Sequence, residues 1–285
     1  MQHELTDEIT GELSDEVLTE ITPAMVLQYY DSAHLWPATS RLNSHSDIAS
    51  AYQCALAVRA MRIARGEVPR GYKIGFTNRS IWPRYNVHGP IWGTVYNTTL
   101  SFCDELGTLR LEGISQPRIE PEVVFALRTT PPAGASLFDL FNCLDWVAPG
   151  FEIVQSHHSN WKFAAAHAVA DGSLHARLLV GTKVPVRGVA ATALALCAAL
   201  ATASVRLSQD ARVVDSGAGA AVLDDPLQAL LHFVHEIELC PGAPGLQAGD
   251  VITTGTLTDA WPVKAGQTWA ADFDAVLPRL EVAFS

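Results

Sequence analysis

The chain lacks most of the features that would tie it to a secreted, membrane-spanning or nucleic-acid-binding protein. Its five cysteines, Cys54, Cys103, Cys143, Cys197 and Cys240, are scattered, odd in number and without any C-x-x-C spacing. That fits reduced, buried thiols in a cytoplasmic protein rather than a disulfide framework. No apolar stretch follows the acidic start Met1-Gln2-His3-Glu4-Leu5-Thr6-Asp7-Glu8, so no secretory signal is expected. Long apolar runs are missing too. Val189 to Val205 is uncharged but built largely from alanine and threonine, and it is shorter than the roughly 20 apolar residues a spanning helix needs. It reads as buried core. Basic residues are few, 19 against 30 acidic ones, and the resulting formal net charge of −11 argues against a nucleic-acid backbone or an anionic membrane surface as partner. A small anionic substrate stays open, because a bound dication and a few local bases can invert the potential inside a pocket.

What is present describes an ordered globular chain: 48% hydrophobic and 17% charged residues over 285 positions, enough for one large domain or two small ones. Residues 1 to about 20 carry seven acidic groups and little periodicity, and read as a mobile arm. Thr22-Pro23 opens a helix through Leu27 and Tyr30. A second helix is expected from Asp47 to Arg65, with Ile48, Tyr52, Leu56 and Ile63 on its buried side and Gly66 as its stop. After Pro69 the pattern turns to short β-like runs: Tyr72–Phe76, Ile119–Leu127, Phe151–Val154, Leu174–Val180, Ala203–Leu207, Arg212–Val214 and Val251–Thr254. Helices behind Ser136 and at Asp225-Pro226 interrupt them. Without regular β-α alternation, the pattern predicts an α+β fold around a mostly antiparallel, barrel-like β core with an N-terminal helical segment. Residues 1–70 would form the arm and helical segment, and residues 71–285 the catalytic domain.

Chemistry concentrates in two motifs. In Gln116-Pro117-Arg118-Ile119-Glu120-Pro121-Glu122-Val123-Val124-Phe125, strand alternation puts Glu120 and Glu122 on one face and Ile119, Val123 and Phe125 on the other. Such a pair alone reads equally as a solvated strand face. Glu152, embedded in Trp146-Val147-Ala148-Pro149-Gly150-Phe151-Glu152-Ile153-Val154, changes the reading. Carboxylates on apolar segments repel unless a positive charge holds them, and an oxygen-loving dication is the simplest one. The second motif is Gly71-Tyr72-Lys73-Ile74-Gly75-Phe76-Thr77. Lys73 there would ordinarily snorkel to solvent. In a pocket with three glutamates it becomes a proton donor, a carboxylate anchor or a Schiff-base nucleophile. Trp82, Tyr85 and Trp92 follow it, either as walls of an apolar pocket or as packing under a loop.

These blocks, with Ala168-Val169-Ala170-Asp171-Gly172 and Ala248-Gly249-Asp250-Val251-Ile252-Thr253-Thr254-Gly255-Thr256 in the same order, resemble the 2-oxopent-4-enoate hydratase / 4-oxalocrotonate decarboxylase family of the fumarylacetoacetate hydrolase superfamily. The resemblance spans about residues 45 to 285. It implies that Glu120, Glu122 and Glu152 bind Mg²⁺ or Mn²⁺, that Lys73 contacts a 2-oxo acid, and that the turn at Thr254-Gly255-Thr256 closes over it; Gly75, where a backbone can approach a ligand closely, and Trp92 are further candidates to meet the substrate. It implies a cytoplasmic homo-oligomer with a small-molecule substrate. The reaction would be hydration of a small unsaturated 2-hydroxydienoate through a metal-stabilised enolate; decarboxylation or tautomerisation of a 2-oxo-enedioate, or C–C hydrolysis, can use the same electron sink.

Departures from the family pattern keep those alternatives open. Gly93-Thr94-Val95-Tyr96-Asn97-Thr98 has no acidic residue after its turn, and the family's S-R-I-R-D-W is here Ser156-His157-His158-Ser159-Asn160-Trp161. Ala170-Asp171-Gly172 stands for A-D-N. His157 is the candidate to replace a lost acid–base group. Thr98 and Asn160, where acids are usual, point to a pocket suited to a different substrate tail.

Overall fold

The structure, a computed structural model, describes residues 19–42, 47–274 and 276–285. The expected acidic arm lies almost entirely outside them. The described chain opens with β1 (Thr19–Glu20), α1 (Pro23–Tyr30), β2 (Ser40–Arg41) and α2 (Ile48–Ala64). Next come β3 (Pro69–Gly75), the single turn α3 (Trp82–Tyr85), β4 (Ile91–Tyr96), β5 (Leu100–Phe102), β6 (Leu106–Leu109) and β7 (Arg118–Leu127). The middle holds α4 (Leu137–Cys143), β8 (Leu144–Val154), α5 (Ala165–Ala170), β9 (His175–Val180), β10 (Val184–Pro185), α6 (Val186–Val189) and α7 (Ala193–Thr202). It ends with β11 (Ser204–Gln209), β12 (Arg212–Ala218), α8 (Pro226–Leu239), β13 (Val251–Thr256), β14 (Trp261–Pro262), β15 (Thr268–Phe273) and β16 (Leu280–Phe284).

Side-chain caps set the helix starts. Thr22 accepts from Met25 N–H, Asp47 from Ser50, and Asp225 from both Leu227 and Gln228, while Ser136 and Asp139 form a reciprocal box. In α2 the buried stripe differs from the expected one. Ile63 is 42% exposed, and Arg62 is buried in its place. Its guanidinium lies 4.0 Å from the Tyr30 ring centre and 3.9 Å from that of Tyr96, and it pairs with Glu67, so the charge is satisfied inside. The alanine-rich stretch after Val189 is α7. Leu196 and Leu200 face the core, but Leu194 is 75% exposed, so this apolar helix is buried on one side only.

The strands form two main sheets. The larger runs β4-β3-β13-β7-β8-β9-β5, with β10 on β8 and β14 on β7. Its β3–β13 and β9–β5 pairs are parallel and the rest antiparallel. The smaller, β12-β11-β15-β16-β6, is antiparallel except at β16–β6. The larger sheet curls into a half-barrel, giving the expected α+β class. On one face of β7, Ile119, Val123 and Phe125 enter the main core beneath α8 and its neighbours. On the other, Val124 joins Val95, Ala148, Leu178, Val180 and Val251 in a smaller cluster. Glu122 and Glu120 belong by alternation to this second face. No helix among the described residues is long and apolar enough to cross a membrane.

Candidate active site

Four neighbouring strands deliver the chemistry. β7 presents Arg118, Glu120 and Glu122 at alternate positions, and its register with β8 sets Glu120 directly opposite Glu152 and Glu122 opposite Gly150. On its other edge β13 sets Thr256 opposite Glu122, after a register shift between Thr253 and Thr256. Gly255 lies in that irregularity with φ +106°, a conformation glycine accepts without strain, and its N–H donates to Glu122 Oε2 at 2.7 Å. One strand further, β3 aligns Lys73 with Thr253.

The three glutamates each offer an oxygen within 4.8 Å of the others. Glu122 and Glu152 are fully buried and Glu120 is partly so. Lys73 is 3% exposed; its Nζ donates to Ser173 O at 3.0 Å and lies 3.2 Å from Glu152 Oε2. That last contact has ion-pair distance without hydrogen-bond alignment, so Glu152 Oε2 and Glu122 Oε1 both remain without a donor. Burial, reinforced by mutual repulsion, pushes Glu120 up to about 8 and raises Glu122 well above the ordinary carboxylate value. Burial raises Glu152 as well, with Lys73 opposing it. Burial alone would lower Lys73, but the glutamates, Glu152 foremost, outweigh it and keep the ammonium charged. One ammonium cannot balance three carboxylates, and orphaned carboxylate oxygens in a dry interior are costly. An all-oxygen donor set without Cys or His fits a hard dication such as Mg²⁺ or Mn²⁺, not zinc.

Around this trio stands a supporting residue that sequence reasoning missed. His175 Nδ1 lies 2.8 Å from Glu152 Oε1, and its Nε2 lies 3.0 Å from Thr99 Oγ1. Burial first, then the nearby Lys73 charge, holds His175 well below its usual range, so the ring is neutral. A neutral ring that donates to the carboxylate from Nδ1 leaves Nε2 as an acceptor facing the Thr99 hydroxyl, whose single hydrogen is shared between that nitrogen and Tyr96 O at 3.2 Å. His-Ala-Arg-Leu-Leu-Val carries no motif that would have revealed this.

A cavity of about 230 Å³ opens beside the carboxylates. Lys73, Gly75, Glu120 and Thr256 line it, and Gly255 stands behind through its bond to Glu122. Two expected residues are not among its walls. Trp92 stacks on Tyr52 at 4.5 Å and borders a tighter cleft of about 30 Å³ beside Tyr30 and Arg62. His157 is fully buried, with Nδ1 2.6 Å from Asp171 and its ring stacked on Trp36 at 5.6 Å. Trp82 donates its indole N–H to Phe76 O. Of the three candidate aromatics only Tyr85 lines the cavity, together with Phe76, Trp161 and Phe163. Thr98 bonds Glu67, and Asn160 is exposed. Arg118 also lines the cavity, and burial lowers its pKa. The alternation that marked Glu120 and Glu122 places Arg118 in the same row.

No family model matches the chain. It is 28% identical over 268 residues to the 2-hydroxyhexa-2,4-dienoate hydratase of Comamonas testosteroni, covering 93% of this chain and 96% of that one. With the 2-keto-4-pentenoate hydratase of Burkholderia vietnamiensis it shares 30% identity over 218 residues, 76% of this chain and 78% of the relative. With a Pseudomonas 4-oxalocrotonate decarboxylase it shares 28% over 208 residues, 73% and 75% of the two chains. Among solved structures, the 4-oxalocrotonate decarboxylase from Pseudomonas putida G7 complexed with magnesium and adipate matches with TM-score 0.79 at 24% identity, over 93% of this chain and 99% of that one. The fumarylpyruvate hydrolase from Pseudomonas aeruginosa in complex with Mn²⁺ and pyruvate matches with TM-score 0.54 at 13% identity, over 76% and 89%. These structural likenesses establish the fold.

Proposed function

The chain belongs to the family of 2-keto-4-pentenoate hydratases and 4-oxalocrotonate decarboxylases, within the fumarylacetoacetate hydrolase superfamily, and from that premise we propose a divalent-metal-dependent hydro-lyase that adds water to a small unsaturated 2-hydroxydienoic acid. The observation that carries this reading is the trio Glu120, Glu122 and Glu152, gathered within 4.8 Å with Glu122 Oε1 and Glu152 Oε2 lacking any donor. When bound there, Mg²⁺ or Mn²⁺ supplies the positive charge that favours the enolate form of a 2-oxo acid.

The chain's own groups do the rest. Lys73 stays protonated, so its ammonium can orient the substrate carboxylate and hold a proton beside the reacting carbons. Gly75 keeps room for it, since a Cβ there would stand 3.1 Å from Lys73 Nζ. The Gly255 N–H fixes Glu122, and Thr256 borders the bound acid. Phe76 and Tyr85 stack at 4.6 Å, a flat wall matching a planar diene. In this reading residues 71–285 carry the catalysis and residues 1–70 the arm and helical segment. Five free cysteines support a cytoplasmic setting, and exposed Phe138 and Leu239 support a homo-oligomer.

The test is direct. Metal-loaded protein is incubated with 2-hydroxypenta-2,4-dienoate and, separately, with 4-oxalocrotonate, and products are identified by NMR. Formation of a 4-hydroxy-2-oxo acid supports the hydratase. Carbon dioxide release without hydration moves the assignment to decarboxylase, and no metal-dependent turnover of either removes it.

A further inference from the structure

The short turn Gly172–Leu174 delivers His175 to Glu152, and it is a strained piece of backbone. Ser173 and Leu174 both lie in the left-handed region, at φ +55° and +68°. Residues with a Cβ persist there only where their surroundings over-determine them. The sheet is irregular at the same place. Pairing of β8 with β9 shifts register between Ile153 and Val154, the partner of His175. A ring whose Nδ1 must stay 2.8 Å from Glu152 Oε1 therefore begins its strand where the ladder is weakest.

The missing hold comes from α1. Tyr30 is 4% exposed and donates its hydroxyl to His175 O at 2.8 Å, across 145 residues of sequence. Burial raises its pKa, so the hydroxyl keeps the hydrogen it donates. The Tyr30 carbonyl accepts from the Gln155 side-chain amide at 3.3 Å, and the Gln155 N–H donates to Leu174 O at 2.8 Å. One tyrosine thus grips both sides of the turn's end.

Tyr30 is itself clamped by α2. The buried Arg62 guanidinium lies 4.0 Å from the Tyr30 ring centre and 3.9 Å from that of Tyr96. Glu67 pairs with Arg62 and accepts the Thr98 hydroxyl at 2.6 Å, which fixes the guanidinium from its other side. Tyr96 N–H donates to Thr99 Oγ1 at 3.0 Å, and that oxygen lies 3.0 Å from His175 Nε2. The contacts close into a circuit that runs Arg62, Tyr30, His175, Thr99, Tyr96 and back to Arg62. Two of its members belong to the helices before β3.

Resting on the proposed function, we propose that Tyr30, clamped by Arg62, is a positioning residue for Glu152 that acts through His175, so that the N-terminal helical segment sets the geometry of the metal centre. The hydroxyl fixes the main chain of His175, and Thr99 fixes the far edge of its ring. The imidazole then has one place from which to hold Glu152.

Tyr30→Phe tests this, because it removes one oxygen and keeps the ring beside Arg62. Mn²⁺ affinity is measured by calorimetry and the surroundings of the bound ion by electron paramagnetic resonance. The expected result is a loss of about threefold or more in Mn²⁺ affinity with an altered line shape. Arg62→Lys, which keeps a charge for Glu67 but loses the planar guanidinium, should shift both readouts the same way. Thr22→Ala is the control. It removes the cap of α1, where Met25 N–H meets Thr22 Oγ1 at 3.3 Å, and should lower the urea midpoint without changing Mn²⁺ affinity. Wild-type affinity and line shape in Tyr30→Phe would overturn the inference. An equal loss in Thr22→Ala would overturn it too, since helix stability alone would then explain the effect. Should Tyr30→Phe fail to fold, unchanged Mn²⁺ binding in Arg62→Lys overturns it. If the wild-type protein binds no Mn²⁺, the metal site itself is lost, a separate outcome from the failure of Tyr30.

Discussion

Glu120 and Glu152 face each other directly across β7 and β8, an arrangement that destabilises a sheet when both are charged and nothing lies between them. The fold brings these carboxylates together in the dry interior with Glu122 and sets Lys73 against them, with Arg118 further along the row from Glu120. Such a placement makes sense for a cation-binding centre, and it sets the first test. The Glu120→Ala/Glu152→Ala double variant should keep its circular dichroism spectrum and lose Mn²⁺ affinity by more than about a hundredfold, some 2.7 kcal/mol. Unchanged affinity by calorimetry would falsify the metal assignment.

Lys73 is expected to anchor and protonate rather than form an imine. Lys73→Arg keeps the charge but not the compact ammonium that fits between Ser173 O and Glu152. It should therefore retain binding of oxalate, a mimic of the enolate, and lose about 10²-fold or more in kcat. A covalent adduct at Lys73 after borohydride treatment with substrate would point instead to Schiff-base chemistry.

His175 acts on Glu152 from behind. With Nδ1 donating to Oε1, Oε2 is the oxygen left without a donor, and Thr99 Oγ1 at 3.0 Å from Nε2 holds the other edge of the ring. His175→Phe should weaken Mn²⁺ binding about 10- to 100-fold, and Thr99→Val less, as measured by titration calorimetry. Equal affinity in wild type and His175→Phe would mean that Glu152 needs no such hold.

Gly255 offers a test of backbone geometry. A Cβ there would overlap Thr77 Oγ1, and φ is +106°. Gly134 also has positive φ, +64°, but open space around it. Gly255→Ala should cost about 2 kcal/mol or more in urea unfolding, clearly exceeding Gly134→Ala. Similar losses at the two positions would show that the overlap is relieved cheaply.

His158 should shape acid stability. Burial, followed by repulsion from His167, lowers its pKa to about 4, and the ring packs edge-on to Trp36 at 4.9 Å. Between about 6.5, the ordinary value, and 4, the unfolded chain binds the proton and the folded one does not. Its contribution is therefore complete above pH 6.5 and lost as pH falls through that window. In His158→Phe the decline of the urea midpoint from pH 7 to pH 4.5 should be shallower than in wild type. An identical slope would assign acid sensitivity elsewhere.

Much of the site was legible because period-two alternation is a local property. Glu120 and Glu122 had to share a face, and Glu152 announced itself as a charge in an apolar strand. Lys73 reaches them only because β13 inserts between β3 and β7, a long-range ordering that no local pattern encodes. The same limit explains Trp92. Its neighbours make β4 an edge partner of β3, and the indole turns to Tyr52 on α2, away from the cavity. Helix starts were readable from Thr22, Asp47, Ser136 and Asp225, whereas the burial of Arg62 depends on two tyrosines distant in sequence. The strands β4, β5, β6, β15 and β16 were not among the expected runs, and β5 and β6, at three and four residues, carry almost no periodicity.

Arg118, Glu120 and Glu122 occupy every second position of a single strand, while Ile119 and Pro121 fill the positions between them and Val123 follows. A slip of one residue in the pairing of β7 would turn the whole charged row into the apolar core at once. A uniform slip leaves none of the row in place. Catalytic competence in a population of molecules is thus all-or-none per molecule. A partly misfolded preparation should contain fewer titratable active centres, each with normal KM and turnover, rather than a uniform set of sluggish ones.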